Sequence, residues 1–231
     1  MNFVRFSAGL ARRERSRAVA RTAVARRFAV FSVALAAVLA GVALTTGPAS
    51  ASASVPQFTH GTCLDANSGQ VYDGGQIFQW ECNASDLYQE WTAGFVEETA
   101  YGPVYQLQNV GALDVNNAAE CLDADAGQVY DGGEIIQMGC DTSDPYQLWL
   151  ITNTAPADGG GAWSYQNYGA LIQQGAADCL DAHAGQAYDT GAIIQWGCNT
   201  SDAYQLWQSA IGPNGQVLAN IGTAVATGGG V

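Results

Sequence analysis

Beyond Arg27 the chain contains neither lysine nor arginine. All 8 basic residues lie in the first 27 positions, whereas every one of the 21 acids except Glu14 lies after residue 54. So one-sided a chain can form no side-chain salt bridge unless a histidine is charged, and it has nothing with which to neutralise phosphates. Nucleic acid and anionic membrane surfaces are thereby excluded as partners. Histidine is scarce as well. His60 and His183 are the 2 in the chain, and neither has a nucleophile predicted beside it, which argues against hydrolytic chemistry. The 6 cysteines include no C-x-x-C pair, so zinc-site spacing is missing. So is the D-x-D-x-D-G loop of an EF-hand; no metal and no cofactor is expected. After residue 54 no helical period is sustained. Short apolar or β-branched runs are instead broken by Gly and Asp-Gly where a chain must reverse, which predicts an all-β class.

What is present at the N-terminus is a leader. Eight arginines precede the apolar run Phe28 to Leu44, and Ala49-Ser50-Ala51 or Ala51-Ser52-Ala53 supplies a small-residue cleavage pattern. The run is short for a membrane-spanning helix, which disfavours an uncleaved anchor. Residues 1–54 are therefore read as a secretory signal peptide and residues 55–231 as the mature, extracellular chain, with no membrane partner after cleavage.

That mature chain repeats itself. CLDANSGQVYDGGQIFQWECNASDLYQEW begins at Cys63, and close copies begin at Cys121 and Cys179, a constant period of 58 residues. Each copy holds one cysteine pair: Cys63 with Cys82, Cys121 with Cys140, and Cys179 with Cys198. Six cysteines allow 15 connectivities, but only pairing within each copy is local and repeated without exception, so three intra-repeat disulfides are expected in an exported chain. A constant connector follows each copy and carries a further strand, marked by Asn109, Asn167 or Asn220 before an apolar residue and a glycine. The third connector is split between the two ends of the mature chain. Such arithmetic describes a closed threefold object with adjoining termini, not an open solenoid with capping repeats. Four strand-like segments in each of three repeats predict a β-trefoil: twelve strands, a six-stranded barrel closed by three hairpins.

The C-L-D words at 63–65, 121–123 and 179–181, the Q-x-W triplets at 89–91, 147–149 and 205–207, and the cysteine pair between them resemble the ricin-type β-trefoil lectin family over essentially the whole mature chain. The resemblance implies that Trp91, Trp149 and Trp207 pack in the core. It also implies one shallow sugar pocket per repeat, built from the C-L-D aspartate, an aromatic before the second cysteine and polar residues near Q-x-W. Carried over repeat by repeat, these are Asp65, Trp80 and Gln89; Asp123 and Gln147; and Asp181, Trp196 and Gln205. A carboxylate accepts hydrogen bonds from adjacent hydroxyls, and an aromatic face stacks on the C–H face of a pyranose. The function implied is a secreted, non-catalytic lectin, a monomer that binds a glycan or polysaccharide with up to three sites acting by avidity.

The chain also departs from the family pattern. Phe78, Ile136 and Ile194 stand where a glutamine is usual, with Gln79, Gln137 and Gln195 one position later. Alternation along a strand predicts that these glutamines face away from the pocket. Tyr88, Tyr146 and Tyr204 replace an asparagine, with Asn83 and Asn199 nearby, and Met138 replaces the second stacking aromatic, which ranks the second pocket last. Each C-L-D aspartate has an alternative role as a turn cap. Tyr72, Tyr130 and Tyr188 are either pocket rims or packed strand residues. A trefoil with degenerate sugar sites that binds or inhibits a protein such as a hydrolase is the alternative function. An enzyme is not expected, because Asp65 with Asp73 and the Asp189-Thr190-Gly191 triplet both fall on positions that every repeat shares.

Overall fold

The computed structural model describes residues 61–154 and 161–226. The leader, its cleavage site and His60 lie outside these residues. The first repeat forms β1 (Thr62–Ala66), β2 (Gly75–Glu81), β3 (Glu90–Thr99) and β4 (Gly102–Asn109), followed by helix α1 (Val110–Asn116). The second forms β5 (Glu120–Ala124), β6 (Gly133–Gly139), β7 (Leu148–Asn153) and β8 (Trp163–Asn167). The third forms β9 (Asp178–Ala182), β10 (Gly191–Gly197), β11 (Trp207–Ile211) and β12 (Gln216–Asn220), followed by α2 (Ile221–Ala226).

Pairing closes these strands twice. The hairpins β3–β4, β7–β8 and β11–β12 join edge to edge through β4–β7, β8–β11 and β12–β3, which makes a six-stranded barrel. The hairpins β1–β2, β5–β6 and β9–β10 meet through mutual pairing of β2, β6 and β10 and form a cap. The fold is a β-trefoil. β1 also pairs with β12, and Thr62 bonds to Thr223, so the two ends of the described chain meet. All three disulfides join the expected partners, each with a Cα–Cα distance of 5.0 Å.

Alternation sorts each cap strand. In β2, Ile77 and Gln79 turn inward while Gln76 and Trp80 face out. Ile77, Ile135 and Ile193 then join Leu64, Leu122 and Leu180 and the three Q-x-W tryptophans in one core cluster. Each tryptophan is at most 1% exposed. Its indole N–H donates to the C-L-D leucine carbonyl at 3.1 Å, which fastens barrel to cap.

The connectors correct one expectation. The runs read as strands through 105–113, 165–173 and 217–225 end at Asn109, Asn167 and Asn220, and a helical turn follows. The asparagine causes the switch. Its Oδ1 accepts from the amide three residues on, a helix N-cap, and its Nδ2 donates to the carbonyl of Tyr88, Tyr146 or Tyr204. The glycine of each marker is needed for close approach: a Cβ on Gly111 would lie 2.7 Å from the Tyr88 ring.

Contacts between repeats run in a cycle. Gln79 donates to the Ala192 carbonyl, Gln137 to that of Asn67 and Gln195 to that of Asp125. In return Asp73 accepts from the Gly139 amide, Asp131 from Gly197 and Asp189 from Glu81. The glutamines are therefore buried between repeats and turned from the pockets, as alternation requires.

One position breaks this symmetry. Thr62 Oγ1 donates to Gln79 Oε1 at 2.8 Å. Glu120 and Asp178 occupy the same slot in the other repeats, and there Glu120 Oε2, Gln137 Oε1, Asp178 Oδ2 and Gln195 Oε1 are all buried without a partner among the described residues. Burial, with Asp73 beside Glu120 and Asp131 beside Asp178, raises both acids' pKa values. A protonated acid can donate as Thr62 does; an ionised one cannot. Glu120→Thr with Asp178→Thr is therefore expected to stabilise the fold by about 1 kcal/mol per site, with a larger gain in melting temperature at pH 8 than at pH 5. A smaller gain at pH 8 would contradict this account.

Thr190 is a second irregularity. It sits at φ 69°, where the matching positions hold Gly74 and Gly132 at 84° and 93°. A β-branched residue is strained there. Thr190→Gly is expected to stabilise by up to about 1 kcal/mol, with glycine's greater freedom in the unfolded chain offsetting part of the relief; thermal melting reads the change.

Candidate functional site

Each candidate pocket lies on the outer face of a cap hairpin. Asp65 stands directly opposite Phe78 across the β1–β2 ladder, and Cys63 opposite Trp80, so all four side chains share one face. The register repeats as Asp123 opposite Ile136 with Cys121 opposite Met138, and as Asp181 opposite Ile194 with Cys179 opposite Trp196. Trp80 is 38% exposed and Trp196 42%, whereas the three aspartates are at most 5% exposed. An open indole beside a recessed carboxyl is thus present in the first and third repeats. Trp80 also leans on Phe78, with ring centroids 5.5 Å apart.

The Q-x-W glutamines have a different place from the one the family likeness implies. Gln89, Gln147 and Gln205 are at most 1% exposed. Gln89 accepts from the Asn83 amide and donates to the Glu81 carbonyl and to Asp65 Oδ2 at 2.9 Å. Gln147 and Gln205 brace the chain beyond the second cysteine in the same way. They stand buried behind the aspartates, each hydrogen-bonded to the carboxyl in front of it. Asp65 Oδ1 accepts no hydrogen bond from any described residue and is left for an incoming donor.

The aspartates do not cap turns. That role belongs to Asn67, Asp125 and His183, which accept from the amides of Gly69, Gly127 and Gly185. Nor do Asn83 and Asn199 reach out as replacement ligands, since each caps its own turn at Ser85 or Ser201. Tyr88, Tyr146 and Tyr204 follow 3-10 N-caps at Asp86, Asp144 and Asp202 and anchor the connector helices.

Burial governs the electrostatics. Loss of solvent pushes Asp65 and Asp123 up to about 7 and Asp181 up to about 6, from an ordinary 3.8. The Q-x-W glutamine opposes the rise in each repeat, and His183 also opposes it at Asp181. Nearby acids reinforce it: Asp86, Asp144 and Asp202 from the same repeat, and Asp189 at Asp65 and Asp131 at Asp181 from the adjoining one. These inter-repeat neighbours were missed by sequence reasoning. Their loops also carry the tyrosines. Tyr72, Tyr130 and Tyr188 are 55–56% exposed, on loops tied by the following aspartate to the end of the next cap strand, so they are not packed strand residues.

Two further concavities bear on the site. One, of about 450 Å³, lies where the cap hairpins meet and is lined by Phe78, Ile136, Ile194, Glu134, His183 and Thr190 among others. The other, of about 380 Å³, is inside the barrel. Among the described residues no cluster of three His, Cys, Asp or Glu side chains is placed to hold a metal.

No family model matches the sequence, and no curated protein matches it. Solved structures do. A designed threefold-symmetric protein, ThreeFoil, matches with a TM-score of 0.50 at 17% identity over 64% of this chain and 89% of that one. A Polyporus squamosus lectin, solved with a human-type influenza-binding epitope, matches at 0.46 and 17% over 64% of this chain. The match spans about half of that lectin, 48%. The Rhizoctonia solani agglutinin matches at 0.44 and 15%, over 70% and 95% of the two chains. At these identities the likeness is one of fold.

Proposed function

We propose that this chain is a secreted, non-catalytic carbohydrate-binding protein of the ricin-type trefoil kind, with working sugar sites at Asp65/Trp80 and Asp181/Trp196 and a weaker one at Asp123/Met138. The observation that carries the reading is the pairing, twice over, of an exposed tryptophan with a recessed aspartate backed by a buried glutamine. Such a site offers a stacking face and a pre-oriented acceptor, which is what the apolar face and the hydroxyls of a pyranose require. Two or three sites on one rigid body raise a modest affinity by avidity on a repeating glycan. Asp73 and Asp189, which a catalytic reading would recruit, are engaged in bonds between repeats, and this favours a binding role. Secretion rests on the arginine-rich leader and is consistent with three disulfides.

A second reading has its own support. Phe78, Ile136 and Ile194 put apolar surface where a hydrogen-bonding side chain would help hold a sugar, and an acidic surface suits a basic protein partner. The separating experiment is a glycan and polysaccharide binding screen of residues 55–231. Binding that free monosaccharide competes away supports the lectin; a blank screen supports the protein-binding trefoil.

A further inference from the structure

The barrel is threefold near the cap and loses that symmetry toward its far end. The first inward layer pairs Trp91 with Asn109, Trp149 with Asn167 and Trp207 with Asn220, identical in every repeat. The next pairs Ala93 with Leu107, Ile151 with Tyr165 and Ser209 with Leu218. The last pairs Phe95 with Tyr105, Asn153 with Trp163 and Ile211 with Gln216. Side chains from the outer two layers line the cavity of about 380 Å³. Tyr105, Ile151 and Trp163 form its apolar walls, Ser209 and Gln216 a polar wall, and Tyr165 belongs to the deeper layer.

Tyr165 is the informative residue. It is 3% exposed, stands where the other repeats use leucine, and its hydroxyl bonds to no described residue. The hydroxyl is not one of the closed-off buried polar atoms and so opens to the cavity, where leucine would present no polar group. Ser209 and Gln216, by contrast, satisfy each other at 3.0 Å, which leaves the Gln216 amide N–H group open. Among the described residues no charged side chain lines the cavity.

We propose that the barrel mouth is a second kind of ligand site, distinct from the cap pockets, and that it takes a neutral sugar ring. Trp163 and Tyr105 offer faces for its C–H surface, while Gln216 and the Tyr165 hydroxyl meet its hydroxyls. The volume lies at the small end of ligand pockets, which suits one ring and not a chain. An anion or a cation would meet no counter-charge from the described lining residues.

The test uses residues 55–231 carrying Trp80→Ala and Trp196→Ala, so that the cap sites are disabled and Trp163 is the one non-core indole left. Glucose, galactose, mannose and N-acetylglucosamine are each titrated to about 100 mM, as suits millimolar affinity, while the indole N–H signals are followed by NMR. Trp163→Phe identifies its signal. The expected result is a saturable shift of the Trp163 signal with at least one sugar. Adding Tyr165→Phe should weaken that binding about tenfold without lowering the melting temperature. No saturable shift with any of the four, or an affinity indifferent to Tyr165→Phe, overturns the proposal and leaves a solvent-filled vestibule. Sugar binding by the unmodified chain that vanishes in the double variant would leave the cap sites standing and sink this one. A Trp163 response where the cap sites prove inert would do the reverse.

Discussion

Replacing Trp80 and Trp196 together by alanine is expected to remove nearly all avid binding to a polysaccharide while the protein melts within a few degrees of the parent. Both indoles are more than a third exposed, so truncation leaves no core cavity. Stacking a pyranose on an indole buries apolar area worth about 2 kcal/mol, or roughly thirtyfold in affinity per site. Losing two linked sites multiplies the effect to about 10²-fold or more. The contrasting change is Trp149→Ala. That ring is fully buried and bonded to the Leu122 carbonyl, so its loss costs about 3–5 kcal/mol of stability and binding disappears only because the fold does. Surface plasmon resonance and thermal melting, read together, separate the two. Undiminished avidity in the double variant would remove both cap sites from the lectin reading.

Stability and sugar binding are expected to respond to pH in opposite directions. For the three C-L-D aspartates the folded pKa lies above the unfolded one, so the fold favours the neutral acid. Their contribution is fully favourable below the ordinary 3.8 and is lost as pH rises to about 6 for Asp181 and about 7 for Asp65 and Asp123. A tenfold difference in proton affinity between the folded and unfolded chain corresponds to about 1.4 kcal/mol, and the three aspartates together amount to several kcal/mol between about pH 4 and pH 8, even after allowance for water reaching the rims. Repulsion among acids unrelieved by any Lys or Arg beyond Arg27 acts in the same direction and is screened by salt. The melting temperature should therefore be higher near pH 5 than near pH 8, with added salt narrowing the gap. Sugar hydroxyls favour the ionised carboxylate, so affinity should rise across the interval in which stability falls. Melting series and calorimetric titrations at pH 5, 6, 7 and 8 check both; a melting temperature that climbs toward pH 8 would contradict the burial of these groups.

Much of this was legible from spacing. The cysteine pairing, the closed threefold arrangement and the core tryptophans follow from a period of 58 residues, because identical residues at identical positions can meet only in a symmetric body. The inward turn of Gln79, Gln137 and Gln195 followed from alternation alone. The fate of Gln89 was less accessible. Its burial depends on how the chain beyond Cys82 folds back across β2, and a polar residue beside a carboxylate reads the same from sequence whether it faces solvent or not. The placement of Asp189 near Asp65 was hidden for a plainer reason: the two are far apart in the chain and meet only when the cap closes. Helix α1 was missed because its seven residues are too few for a period to show, although Asn109 and Gly111 carried the signal.

The cyclic bonding of the cap also bears on how the molecule comes apart. In an open array each unit leans on its neighbours, and the ends fray first. Here every hairpin turn is tied to the next repeat and every cap glutamine to the one before, so no repeat is terminal. Breaking one junction must expose two faces at once, and neither remaining junction is then backed by a closed ring. Opening should therefore be concerted: amide exchange in all three cap hairpins would proceed through one shared event at close to the global free energy, although a whole barrel hairpin separates each cap hairpin from the next along the chain.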